Sequence, residues 1–112
     1  MKREFETGAN RDSDKDKLDI EAYLSPLVLQ AYSEYMYRNQ YLKDGTKRDG
    51  DNWQNLFGEN HQAVCMKSLT RHFMDLWLLH RGHEAREDIE SALAGIMFNA
   101  MAIWYEILTR PK

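Results

Sequence analysis

The chain has 112 residues, 43% hydrophobic and 29% charged, with a net charge of −3. That suits one domain with a small core and argues against a general nucleic-acid binder, which would carry a strong basic excess. No uninterrupted apolar run approaches the roughly 20 residues of a membrane span, so neither a nucleic-acid polymer nor a membrane is expected as a partner.

The single cysteine, Cys65, leaves no internal disulfide and points to a reducing, cytoplasmic setting. The N-terminus lacks the apolar stretch of a signal peptide. Residues 1–24 read as a charged N-terminal arm before one helical domain over 25–112. Gly8 and the acidic run from Asp12 to Asp19 disfavour a long helix there. Arg11 and Lys17 could bring this arm to a triphosphate; a solvated charge run is the alternative.

Helix one is expected to start at Ser25-Pro26, because Ser caps well and Pro is tolerated at the first helical position. Val28, Ala31, Tyr32, Tyr35, Asn39 and Leu42 form its stripe, Glu34 stands at the stripe's edge as a candidate metal carboxylate, and Gly45 ends it. Residues 43–59 follow as a long glycine-containing loop, a kind that is uncommon and often functional. Trp53 could stack on a base there and Asn52 read its edge; the other reading of such an aromatic is a plug for the core.

Helix two is expected over roughly 60–81, with Asn60 as its cap and Gly82 just past its end. Lys67, Ser68, Arg71, His72 and Asp75 share one face, opposite Met66, Leu69, Phe73, Leu76 and Trp77. Leu78 and Leu79 rotate back toward the polar side, which predicts that another element or a ligand half-covers it. His72 and Asp75 could serve one ligand or ion together, with Lys67 and Arg71 on phosphate. The alternative is a local hydrogen-bond set that fixes helix packing. Cys65 reads as a small buried residue or, with a depressed pKa, a nucleophile.

Helix three is expected over roughly 85–109, with Pro111 beyond it. Its acidic start suits the helix dipole, and Glu87 with Glu90 gives a Glu-x-x-Glu pair able to hold a hard divalent cation. Asn99 lies on an edge with Ala92, Gly95 and Ala102, where something can approach closely. Its amide either reads a ligand or bonds across a helix–helix contact. From Ala92 to Trp104 the helix is apolar or small almost all round, which requires cover on every side. The expected fold is therefore all-α: a bundle of three main helices completed by a homodimer or higher homo-oligomer.

Several motifs fall in a characteristic order. They are Gly8-Ala9-Asn10-Arg11-Asp12, Lys17-Leu18-Asp19, Leu24-Ser25-Pro26-Leu27, Asp51-Asn52-Trp53-Gln54, Met66-Lys67-Ser68 with Arg71-His72 and Asp75, His80-Arg81-Gly82, and Phe98-Asn99-Ala100. This ordered set, spanning residue 8 to about 106, resembles the phage dATP/dGTP diphosphohydrolase-like family, itself similar to the MazG-like all-α nucleotide pyrophosphohydrolases. The resemblance implies a helical oligomer that uses Mg2+ or Mn2+ to cut a purine deoxynucleoside triphosphate to monophosphate and pyrophosphate. On that reading His72 and Asp75 are catalytic. Arg11, Lys17, Asn52, Trp53, Lys67, Arg71 and Asn99 bind substrate, and Asp75, Glu87, Glu90 and Glu34 supply metal ligands. The chain departs from the wider superfamily in lacking a Glu-x-x-Glu on helix two. That departure motivates a second expectation, a protein that sequesters a nucleotide without cutting it.

Overall fold

The computed structural model describes residues 3–4, 10–11, 17–39 and 60–111. Among them are four helices, α1 (Ile20–Tyr23), α2 (Pro26–Arg38), α3 (His61–His80) and α4 (Ile89–Thr109). A two-residue ladder pairs β1 (Arg3–Glu4) antiparallel with β2 (Asn10–Arg11), Arg3 opposite Arg11. The class is all-α as expected, but four helices replace the three anticipated. The addition is α1, a single turn that Asp19 starts by accepting a hydrogen bond from the Ala22 N–H at 3.1 Å. One turn is too short to display a period, so the stretch reads in sequence as charged arm.

The chain divides into two compact units, residues 1–31 and 32–112, with the division inside α2. In the first unit, the Val28 N–H donates to Ser25 Oγ at 3.2 Å, so the Ser-Pro start of α2 is a side-chain cap. The helix ends at Arg38, ahead of the expected Gly45, which lies outside the described residues along with the 43–59 loop, Asn52 and Trp53.

In the second unit, α3 and α4 form an antiparallel hairpin. The start of α3 meets the end of α4 at His61 and Glu106, and the middles meet at Ser68 and Asn99. Asn60 occupies the α3 N-cap position without a side-chain cap bond. The other end closes through a left-handed glycine, Gly82 at φ +82°. The Gly82 N–H bonds to the Leu79 carbonyl and the His83 N–H to the Leu78 carbonyl, the paired pattern of a Schellman cap.

α4 begins later than expected. Asp88 is its N-cap and accepts from the Ser91 N–H at 3.0 Å, leaving 83–88 as an irregular connection rather than a first helical turn. Glu87 therefore lies outside the helix and is free to turn back toward α3.

The seam of the hairpin is polar. On α3 it comprises His61, Cys65, Ser68, His72 and Asp75, alternately four and three residues apart, the spacing of a coiled-coil stripe. On α4 it is met by Gly95, Asn99, Ala102 and Glu106. Buried residues among those described are the small apolar Cys65, Ala92, Ala94 and Ala102 together with the polar His61, Asp75 and Asn99. The element that covers the polar face of α3 is thus α4. It meets Ser68 and His72, while Arg86 of the connection holds Asp75, and Lys67 and Arg71 stay exposed.

The apolar side faces outward. Phe73 and Trp77, with ring centroids 5.8 Å apart, are each 47% exposed, and Trp104 is 67% exposed. α4 is also long and apolar enough to cross a membrane, with a mean hydropathy of 1.4, although no unbroken apolar run announces this. The core helix of a soluble bundle has the same character.

Candidate metal centre

Three ligand types converge where α3 meets the connection before α4. His72 and Asp75 stand three residues apart on α3, and Glu87 comes from the connection. One potential ligand atom from each lies within 4.8 Å of the other two. This cluster can coordinate a divalent metal ion. His72 Nδ1 and Glu87 Oε1 are 2.5 Å apart, both side chains being mostly buried.

The position of His72 depends on Gly95. A Cβ built on Gly95 would lie 2.5 Å from the ring atoms Cγ, Cδ2 and Nδ1. The close approach anticipated for the small-residue edge of α4 is therefore made by an imidazole, not by a backbone. One turn further on, Asn99 Nδ2 donates to Ser68 Oγ at 3.1 Å and to the Gly95 carbonyl at 2.8 Å. Its amide ties the helices together beside the cluster.

Asp75 is 2% exposed, and a carboxylate so deep needs partners. Arg86 provides them. Its Nε reaches Oδ1 at 3.2 Å and its Nη2 reaches Oδ2 at 2.7 Å, a two-pronged charge-assisted pair. The Arg86 backbone N–H approaches Oδ1 at 3.4 Å. The Arg86 guanidinium holds the Asp75 carboxyl below its ordinary pKa, against the opposing effect of burial. Sequence reasoning passed over Arg86, since nothing in one dimension links it to Asp75.

A cleft of about 650 Å³ opens beside the cluster, lined by Arg71, Met74, Asp75, Leu78, Glu84 and Arg86 among others. Two cations, the buried Asp75 carboxylate and the exposed Glu84 carboxylate thus share one cavity. Leu78, whose place near the polar face was the sign of partial cover, forms part of its apolar wall.

The other expected site residues are placed as follows. Lys67 is exposed on α3, Lys17 is exposed ahead of α1, and Glu34 is exposed on α2. Glu90 is exposed in the first turn of α4, with its Oε2 3.9 Å from Arg38 Nη2, outside the metal-competent cluster. The Arg11 backbone lies in β2.

A second polar group occupies the far end of the seam. Cys65 Sγ is 3.6 Å from His61 Nε2, which is 3.9 Å from Glu106 Oε2. Burial, aided by the Glu106 charge, pushes the Cys65 thiol above its ordinary pKa. That favours the small buried residue over the nucleophile.

One imidazole nitrogen and two carboxylates form a mixed donor set. It suits Mn2+ better than Mg2+, which prefers oxygen and retains its waters. No protein-family model, no curated protein and no solved structure matches the chain. Fold and site together define an antiparallel helical hairpin with a polar seam and a nitrogen–oxygen centre able to take a divalent cation.

Proposed function

We propose that this chain is a metal-dependent nucleotide pyrophosphohydrolase of the MazG-like kind, cutting a purine deoxynucleoside triphosphate to monophosphate and pyrophosphate. The observation that carries the reading is the position of the His72–Asp75–Glu87 cluster beside a cleft lined by Arg71 and Arg86. A bound divalent cation would supply Lewis-acid activation and neutralise phosphate charge. Asp75, Glu87 and His72 would hold it. Arg71 and Lys67 compensate phosphate charge from the exposed side of α3. The resemblance adds Asn52 and Trp53, which lie outside the described residues, as base contacts and Arg11 and Lys17 as further substrate contacts. The outward Phe73, Trp77 and Trp104 support assembly as a homodimer or higher homo-oligomer, because water-exposed aromatics of this size favour burial. The test is pyrophosphate release across a panel of nucleoside triphosphates with Mg2+ or Mn2+. Release from dATP or dGTP is expected; no release from any nucleotide with either metal sinks the proposal.

A second reading, nucleotide sequestration without cleavage, is favoured by one specific observation. Both Asp75 oxygens are held by Arg86 and Glu90 sits toward Arg38, so the site is poor in available carboxylates. Calorimetry showing tight nucleotide binding, with the ligand recovered intact, would support it over hydrolysis.

A further inference from the structure

Asp75 is claimed twice. Its two oxygens accept from Arg86 Nε and Nη2 at 3.2 and 2.7 Å. One of them also belongs to the three-residue group whose ligand atoms lie within 4.8 Å. A guanidinium and a dication on the same carboxylate repel each other at close range, so full occupation by both is disfavoured.

The two partners of this pair differ in freedom. Asp75 is fixed on a twenty-residue helix with its side chain 3% exposed, whereas the Arg86 side chain is 60% exposed and springs from the irregular connection before α4. Arg86 can leave; Asp75 cannot. The cleft that Arg86 lines also contains Arg71, with Glu84 as the opposing charge, so a guanidinium released from Asp75 joins a second cation there.

We propose that Arg86 and a divalent transition-metal ion compete for Asp75, so that metal entry hands the Arg86 guanidinium to a pyrophosphate-type anion in the cleft. The inference rests on the metal reading of His72, Asp75 and Glu87 and adds a coupling to it. Without anion, Arg86 opposes the metal. With anion, Arg86 has another partner, and each ligand raises the other's affinity by the same factor. The planar fork of arginine suits this exchange, because it binds carboxylate and phosphate with the same two-pronged geometry.

The test uses the full chain and calorimetric titration with Mn2+ alone, then with inorganic pyrophosphate in the absence and presence of saturating Mn2+. Wild type, Arg86→Gln, Arg86→Lys and Asp75→Asn are compared, with helicity checked by circular dichroism. Arg86→Gln should bind Mn2+ on the order of tenfold more tightly than wild type, the size of one lost charge-assisted pair. Arg86→Lys should fall between them, and Asp75→Asn should lose Mn2+ binding. Mn2+ should raise pyrophosphate affinity by a larger factor in wild type than in Arg86→Gln. Equal or weaker Mn2+ binding by Arg86→Gln would overturn the exchange, since Arg86 would then be orienting Asp75 for the metal. An equal Mn2+ effect on pyrophosphate in both proteins would also overturn it. Turnover is not part of this readout. Intact exchange without nucleotide cleavage would overturn only the hydrolase reading; cleavage without the Arg86 effect would overturn only the exchange.

Discussion

The His72 imidazole lies against the bare backbone of Gly95, so close that a methyl group there would stand 2.5 Å from its ring atoms. His72 is the only nitrogen ligand in the cluster, so a glycine on α4 governs a ligand on α3.

Gly95→Ala is therefore expected to do harm where helix propensity alone predicts a gain. Replacing a helical glycine by alanine contributes about 1 kcal/mol, but forcing the imidazole aside costs about 1–3 kcal/mol in overpacking. Urea unfolding should show net destabilisation, and Mn2+ titration should show weakened binding. A Gly95→Ala protein that is more stable and binds Mn2+ as wild type would refute the contact.

The Asp75–Arg86 pair makes the metal-free protein acid-sensitive in a defined window. Arg86 lowers the folded pKa of Asp75, so the folded state holds this proton less readily than the unfolded chain. The pair's contribution is complete above the unfolded value of about 3.9. It is lost as pH falls below that value and through the depressed folded one. Urea unfolding followed from neutral pH to below 3 should show this loss, and Arg86→Gln should flatten it.

Asn99 is 5% exposed and donates to both Ser68 and Gly95. Asn99→Ala should destabilise by about 1–3 kcal/mol through the loss of two part-buried hydrogen bonds. A double-mutant cycle with Ser68→Ala should show coupling between the two sites. Independent, additive effects would contradict the cross-helix bond.

The outward aromatics predict self-association. Trp77→Glu and Trp104→Lys place charges on the exposed apolar side of the hairpin and should shift the chain toward monomer in sedimentation analysis without loss of helicity. A wild-type chain that sediments as a monomer at micromolar concentration would contradict the oligomer.

Much of the hairpin was legible before the structure. Gly82 marks the end of α3 because only a residue tolerant of positive φ fits there, and Ser25-Pro26 marks the start of α2. The polar face of α3 was visible as a cluster, and its partial cover was signalled by Leu78 and Leu79. What was not legible is which side of α3 turns inward. Phe73 and Trp77 belong to the apolar face of α3, yet the seam selects Ser68, His72 and Asp75, since α4 offers glycine, alanine and asparagine there rather than large apolar partners. The start of α4 was also placed early. Asp88 read as one acid among several, although a cap immediately before the apolar run from Ile89 was the available signal. That cap leaves Glu87 outside the helix. Arg86 had no local signal, because its partner is 11 residues away across a turn whose path the sequence does not specify.

Pyrophosphate release from dGTP and dATP with Mn2+, compared between wild type and Glu87→Gln, tests the central claim most directly. Glu87 comes from the connection rather than from either helix of the seam, so the variant should keep its helicity. The account predicts release by wild type and a loss on the order of a hundredfold in Glu87→Gln, the scale at which a displaced catalytic group acts. Equal rates in the two proteins, or no release by wild type, would contradict it.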